Sequence, residues 1–291
     1  MEALTNISFQ IKIKQKRIEL YNNILENISF FKVRFREAIQ YKTAAFAGVL
    51  TQFAWAGMYM MLFSTFLENG TENDMSIAQM STYIWLQQSL YALINISNVD
   101  KDIYEQIRNG NIAIDLVKPI DIYNVWYYKT LGKKVAMVTL RFIPIILISS
   151  LPILGQYRVI IQTNPTILVL SVISLILSTA LTMSYIMMML ALIMILISSD
   201  GIKILFQLIL EFFSGMVIPI SFMPTKIATI LKFTPFYYIQ NITFNIYSGY
   251  MSNSKEILIN LIMQVFWIIV LTILSKMIIK KRLSKITIQG G

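Results

Sequence analysis

The stretch NVDKDIYEQIRNGNIAIDLVKPIDIYNVWYYKTLGKK, residues 98–134, is the one long polar segment in a chain that is otherwise dominated by apolar runs. It contains six Lys or Arg and five Asp or Glu residues. The apolar runs on either side are about 20 residues long, which is the length that crosses a bilayer as a helix. A polar segment in this position is either a simple connector between two spans or a docking surface for a soluble partner.

The composition of the chain predicts a membrane protein. Of its 291 residues, 56% are hydrophobic and 14% are charged, whereas soluble domains carry roughly 25% charged residues. The net charge of +10 is explained by retention of Lys and Arg on the cytoplasmic side of a membrane, and we expect no nucleic-acid partner. The chain has neither Cys nor His. We therefore expect no metal site and no catalytic centre, because the commonest ligands and the commonest general base are missing.

Hydropathy divides the chain into three parts and predicts an all-α fold with six transmembrane helices. Residues 1–42 are an interfacial segment, residues 43–285 are the transmembrane domain, and residues 286–291 are a tail. Within the domain, residues 98–134 form the cytoplasmic loop and residues 215–250 a broken region. The spans are expected near residues 43–67, 77–96, 135–154 and 166–195, from 202 to an interruption at 215, and near 257–277.

The N-terminal segment is basic and has a helical apolar pattern. Apolar residues recur near helical spacing, including Ile18, Tyr21, Ile24 and Ile28. This spacing predicts an amphipathic elbow helix that lies on the cytoplasmic membrane surface. The alternative is a soluble N-terminal helix.

The distribution of Lys and Arg predicts the orientation. With the N-terminus inside, twenty Lys or Arg residues fall on cytoplasmic segments and four on outer segments, while Arg141 lies within the third span. Because positive charge is retained on the cytoplasmic side, we expect both termini to be cytoplasmic. The expected location is a bacterial plasma membrane.

Several polar residues interrupt the predicted spans. Such residues usually face protein or a polar path rather than lipid. They either line a substrate path or form hydrogen bonds between helices. The candidates are Gln79, Gln87, Gln88 and Asn95 in the second span and Glu211 in the fifth.

The region after the fifth span is too apolar for a free loop and too broken for a span. Proline removes a backbone donor and clashes with the preceding helical turn. We therefore expect short re-entrant helices, because non-helical backbone at membrane depth must be covered by protein or by a water-filled cavity. The helix-breaking residues are Gly215, Pro219, Pro224 and Pro235.

Two motifs resemble those of a known transporter family. Residues 104–119, YEQIRNGNIAIDLVKP, contain Ile-Arg-x-Gly and then Leu-x-x-Pro after the second span. Residues 213–224, FSGMVIPISFMP, followed by Pro235-Phe236, contain Gly-x-x-x-Pro, Pro and Pro-Phe near the fifth span. With the elbow, the six spans and the charge pattern, the chain resembles the permease subunits of bacterial ABC exporters of the type-2 class.

The resemblance implies the membrane half of an export pump. Its cargo would be amphipathic: a lipid, peptide or antibiotic. No Gly-x-x-x-x-Gly-Lys-Ser/Thr motif occurs in the sequence, so we expect ATP and Mg²⁺ to bind a partner ATPase and this chain to bind no cofactor. The expected partners are two ABC ATPase subunits, a second permease subunit, identical or related, and membrane lipids.

The resemblance also assigns a role to part of the polar loop. In this family the loop after the second span forms a cytoplasmic coupling helix that contacts the ATPase, and Glu105 and Arg108 are the expected polar contacts. Because they lie three residues apart, the alternative is an ion pair within the helix. The segment Trp126–Tyr128 is expected at the membrane surface. The assigned residues are Asp102, Ile103, Tyr104, Glu105, Gln106, Ile107, Arg108, Asn109 and Gly110.

Two other classes of function remain open. The first is a membrane partner or sensor in a regulatory or resistance complex that transports nothing. The second is a membrane enzyme that acts on lipids, which would need clustered carboxylates or His near the interface. The lack of His and the scattered acids argue against the enzyme.

Overall fold

The computed structural model describes residues 2–68, 75–97, 99–109, 112, 120–196 and 199–284, with side chains for all of these except residues 2–13 and 20. Every regular element in these ranges is helical, as expected. Short 3-10 helices lie at Pro152–Tyr157, Ile220–Phe222 and Pro235–Tyr238. The α-helices are α1 (Glu2–Ala38), α2 (Lys42–Glu68), α3 (Ile77–Ile94), α4 (Lys101–Arg108), α5 (Ile122–Ser149), α6 (Pro165–Ile193), α7 (Ser199–Phe213), α8 (Thr225–Leu231), α9 (Asn241–Tyr247) and α10 (Ser254–Leu283).

Three helices in the described ranges, α2, α6 and α10, are long and apolar enough to cross a membrane. The other three predicted spans differ from them in length or polarity. Helix α3 is rich in polar side chains, α5 contains four basic residues, and α7 has 15 residues. Length and composition alone therefore identify half of the expected six spans.

Helix α3 lies in the interior of the bundle. Fourteen of its 18 residues are buried, and it packs against α2, α5 and α9. Its N-terminus is closed by a capping box, in which Ser76 and Gln79 each accept a hydrogen bond from the other's backbone N–H. Because its neighbours are protein rather than lipid, α3 accommodates the amides that lower its hydropathy.

Helix α5 begins at Ile122, 13 residues before the expected start of the third span at Val135. Asp121 caps the helix by accepting hydrogen bonds from the N–H groups of Tyr123 and Asn124. Several residues in the first turns of α5 are buried, and Trp126 is only 2% exposed. The expected place of Trp126–Tyr128 at the membrane surface stays a prediction. Hydropathy missed this start because a capped and buried helix tolerates polar residues that an isolated span does not.

Helices α1 and α5 pack closely along much of their length. At Gly132, a Cβ atom would overlap the backbone carbonyl oxygen of Phe31. The glycine therefore sets the distance between the two helices. Further towards the N-terminus, Ile18, Tyr21 and Ile24 of α1 are exposed, so this part of the predicted apolar stripe does not contact the bundle.

The backbone after α7 forms a series of short helices that pack on α6 and α10. Gly215 has φ +86°, a conformation that favours glycine. Pro219 and Pro224 precede the first two short helices, and Pro235 begins the third. The sequence prediction of a broken region from these four residues agrees with this backbone.

Candidate coupling site and buried polar groups

Helix α4, in the predicted coupling segment, has one buried face and one charged face. Ile103 and Ile107, four residues apart, are buried in the main hydrophobic core. Asp100 begins the helix by accepting a hydrogen bond from the N–H of Asp102 at 3.0 Å. The opposite face is exposed and consists of Lys101, Asp102, Glu105, Arg108 and Asn109, while Tyr104 and Gln106 are partly buried. Gly110 lies outside the described residues.

The two expected contact residues, Glu105 and Arg108, do not pair with each other. The ion pairs found in the described part of the chain all involve Arg34. Both side chains are exposed. Neither Glu105 nor Arg108 thus forms an ion pair within the described residues, and the alternative of an intrahelical ion pair is not seen there.

Arg34 of α1 holds the start of α4. Its Nε lies 2.8 Å from Asp100 Oδ2, and a terminal nitrogen donates to Asp100 Oδ1 at 3.2 Å. The terminal nitrogens also bind Glu37 at 2.6 Å and Asp102. The Arg34 side chain is 16% exposed and that of Asp100 is 4% exposed. The hydrogen bond from Arg34 lowers the pKa of Asp102, and the coulombic attraction of Arg34 adds to it.

The other side of α4 is held by α7. Tyr104 donates a hydrogen bond from its hydroxyl to the carboxylate of Asp200, and the Lys203 ammonium lies 5.2 Å from the centre of the Tyr104 ring. Burial raises the pKa of Tyr104, and the hydrogen bond to Asp200 raises it further. Helix α4 is therefore connected to α1 on one side and to α7 on the other.

Sequence reasoning missed the role of Lys134. This side chain is fully buried, and its Nζ donates to the backbone carbonyls of Ala92, Leu93 and Asn95. These carbonyls end α3, where a cation compensates the helix dipole and the unpaired acceptors. Lys134 thus fastens the end of α3 to α5 just before α4. The only signal in the sequence was the pair Lys133-Lys134, and it does not show which lysine is buried.

Two of the predicted path residues are brought together. Asn95 Nδ2 donates to Tyr91 Oη at 2.7 Å and lies 3.4 Å from Glu211 Oε1. Gln207, one turn before Glu211 on α7, donates to the same carboxylate at 2.9 Å. Glu211 is therefore hydrogen-bonded to amides of its own helix and of α3.

The three glutamines of α3 have different surroundings. The Gln87 amide donates to the backbone carbonyl of Met216, just after Gly215. It thus supplies a hydrogen bond to backbone that is not part of a helix. Gln88 is buried. Gln79, at the start of α3, also borders a cavity of about 550 Å³ whose walls include Asn241, Asn245 and Glu256. Gln79 is thus the glutamine of α3 that borders open space.

These features describe an all-helical membrane protein with a short, charged helix fixed beside its core. A family model, ABC-2 family transporter protein, matches residues 53–290. The chain therefore belongs to the ABC-2 transporter family and is a membrane component of an ABC transporter. No curated protein matches the chain.

Proposed function

We propose that the chain is the permease subunit of an ATP-driven exporter in a bacterial plasma membrane, with two ATPase subunits and a second permease subunit, identical or related. Helices α2, α3, α5, α6, α7 and α10 would be its six spans, α1 its elbow helix, and α8 and α9 its re-entrant helices. The family membership and the excess of basic residues on one set of segments support this topology. The cargo would be amphipathic: a lipid, a peptide or an antibiotic.

The observation that carries the proposal is the two-faced character of α4. Ile103 and Ile107 fix one face in the core, while Glu105 and Arg108 are exposed on the other. A short helix with one buried face stays anchored to the core while its charged face is presented to a soluble partner. We therefore assign α4 to ATPase docking.

The contacts of α4 suggest how energy from a partner reaches the spans. ATP and Mg²⁺ would bind the ATPase, and closure of the ATPase subunits would displace α4. Since α4 is joined to Arg34 of α1 and to Asp200 of α7, the displacement would move both helices. Rigid-body movement of packed helices switches access from one side to the other.

The amides and the acid predicted to line a path have two different roles in this proposal. Gln87 and Asn95 use their amides on backbone or side-chain partners within the chain, so we assign them to packing between helices. Gln79 borders the 550 Å³ cavity, and we assign it to the substrate path. Glu211 and Gln88 stay candidates for that path.

The test is co-purification of the chain with its ATPase and measurement of ATP turnover. We expect the double variant Glu105→Ala/Arg108→Ala to bind the ATPase more weakly and to lose most of the permease-dependent change in turnover. The double variant Arg17→Ala/Glu19→Ala removes an exposed pair of opposite charges from α1 and should match the unaltered chain.

Two results would contradict the docking assignment. The first is failure to co-isolate any ATPase, and the second is unchanged ATP turnover with the Glu105→Ala/Arg108→Ala variant. A transport assay in vesicles then separates an exporter from a sensor. ATP-dependent accumulation of a labelled amphipathic cargo supports the exporter, and coupling to the ATPase without accumulation supports the sensor.

A further inference from the structure

A cavity of about 390 Å³ lies where α1, α2, α4 and α5 meet. Its volume is within the range of roughly 300–1,000 Å³ that is typical of small-ligand sites. Its walls include Arg34, Tyr41, Asp102, Lys133 and Arg141. The cavity therefore combines cations, acids and apolar groups.

The acids of the cavity are gathered on its α1 and α4 side. Glu37, Asp100 and Asp102 all contact Arg34. Lys133, on α5, donates to the carbonyl of Val99 at 3.2 Å. The negative charge of the cavity is thus confined to one wall, where Arg34 already binds it.

Arg141 forms the opposite wall and is not paired with any carboxylate in the described part of the chain. Its Nε is buried and has no hydrogen-bond partner there. Its guanidinium lies against Gly48 of α2, where a Cβ atom would stand 2.5 Å from Cζ. The absence of a side chain at Gly48 therefore leaves the space that the guanidinium occupies.

In the proposed topology the guanidinium lies near the cytoplasmic end of α2. Gly48 is six residues beyond Lys42, the first residue of α2, which places it about 9 Å along the helix. A charged side chain within a span is costly unless it is paired or reaches the interface. A lipid phosphate at the interface would pair with this cation.

The surface beyond Arg141 suits an acyl chain. Seven residues further along each helix, which is two turns, Trp55 of α2 is 49% exposed and Ile148 of α5 is 43% exposed. Helices α2 and α5 contact each other. Exposed apolar side chains therefore follow Gly48 and Arg141 along the same helix faces, in the direction that a lipid tail would take.

We propose that this cavity binds an anionic phospholipid of the cytoplasmic leaflet, with its phosphate on Arg141 and an acyl chain beside Trp55 and Ile148. The proposal rests on the part of the proposed function in which α5 crosses the membrane with its start at the cytoplasmic side. It does not depend on the docking of α4 to an ATPase. A failed lipid test therefore leaves the docking proposal standing, and a failed docking test leaves the lipid proposal standing.

The test places the full chain in nanodiscs of phosphatidylcholine that contain a small fraction of spin-labelled lipid. We expect labelled phosphatidylglycerol to be immobilised in preference to labelled phosphatidylcholine. The variant Arg141→Gln should lower this preference about tenfold, the loss that follows when one hydrogen-bonded charge is removed. Arg141→Lys should keep part of the preference, because the charge remains.

The glycines of α2 provide a matched pair. Gly48→Ala displaces the guanidinium and should weaken the preference for phosphatidylglycerol. Gly57→Ala, in the same helix with nothing within 4 Å of its added Cβ, should leave the preference unchanged. The melting temperature of each variant in phosphatidylcholine shows whether the fold is retained.

Three results overturn the proposal. The first is equal immobilisation of the two lipids by the unaltered chain. The second is a preference that persists in a folded Arg141→Gln variant. The third concerns inorganic phosphate: if it abolishes the preference at millimolar concentration and raises the melting temperature in phosphatidylcholine alone, the site takes a free anion rather than a lipid.

Discussion

The two arginines of the 390 Å³ cavity occupy opposite walls and have opposite surroundings. In the proposed topology the cytoplasmic joint is where α1 meets α4 and α5; there Arg34 is bound by three carboxylates and Gly132 brings two helices together. The proposed membrane joint is where α2 meets α5; there Arg141 lies against Gly48 without a carboxylate partner among the described residues. The first joint is complete within the chain, whereas the second has an unused cation. This difference separates a structural connection from a binding site.

The largest effect should come from breaking the cytoplasmic joint at Arg34. The variant Arg34→Gln leaves Asp100, whose side chain is 4% exposed, buried without its cation. Loss of one partner from a buried ion pair costs about 3 kcal/mol. We therefore expect a clear fall in the melting temperature of the purified chain and loss of permease-dependent ATP turnover.

Two variants test whether the ion pair is responsible. Arg36→Gln removes an exposed arginine from the same helix and should have little effect. In the double variant Arg34→Gln/Asp100→Asn the uncompensated charge is gone, so part of the stability should return. If Arg36→Gln is as damaging as Arg34→Gln, the joint does not depend on this pair.

The second largest effect is expected from substitution of Gly132, and the matched substitution is at Gly48. At Gly132 an added Cβ meets the backbone carbonyl of Phe31, which moves only if α1 moves as a whole. At Gly48 the added Cβ meets the end of the flexible Arg141 side chain. We expect Gly132→Ala to destabilise the chain by about 1–3 kcal/mol, and Gly48→Ala by less.

Thermal unfolding in the same lipid measures both glycine variants. Both substitutions raise helix propensity, so that contribution cancels. The difference in melting temperature between the two variants therefore measures the difference in local steric clash. Equal melting temperatures for the two variants would show that α1 is not held closely against α5. The packing at Gly132 would then not distinguish the first joint from the second.

The sequence predicted the architecture better than it predicted the joints. Hydropathy located α2, α6 and α10 because they are long, apolar helices with mostly unburied side chains. The ends of α2 and α6 lie within two residues of the predicted bounds, whereas α10 extends three residues before and six residues beyond them. It did not mark the start of α5, since Trp126 and its neighbours are covered by protein rather than lipid. The Ile-Arg-x-Gly motif indicated the position of α4, but no motif indicated which residues hold it.

The joints were missed because they depend on partners that are distant along the chain. Arg34 and Asp100 are separated by 66 positions, and nothing local to either residue predicts the pair. Lys134 looks like a surface lysine in the sequence, yet it is fully buried on the carbonyls that end α3. Helical periodicity assigns a face to each of these residues but does not name what that face meets.

The smallest effect concerns the pH dependence of the cytoplasmic joint. Its hydrogen bond to Arg34 lowers the pKa of Asp102 in the folded chain, while unfolded aspartate titrates near 3.9. A carboxylate with a lowered pKa stabilises the fold above the unfolded value, and that contribution is lost as the pH falls through the folded value. Because the Asp102 side chain is 64% exposed, solvent screening keeps the contribution below about 1 kcal/mol.

The variant Asp102→Asn isolates this contribution. At pH 7 its melting temperature should be slightly lower than that of the unaltered chain, and the gap should close as the pH falls below about 3.9. Glu19→Gln, which changes an exposed acid on α1, is the control and should show no such convergence. A gap that is the same at pH 7 and at low pH would mean that Asp102 stabilises the joint through packing rather than through its charge. In that case the contrast between a paired Arg34 and an unpaired Arg141 would depend on Asp100 and Glu37 alone.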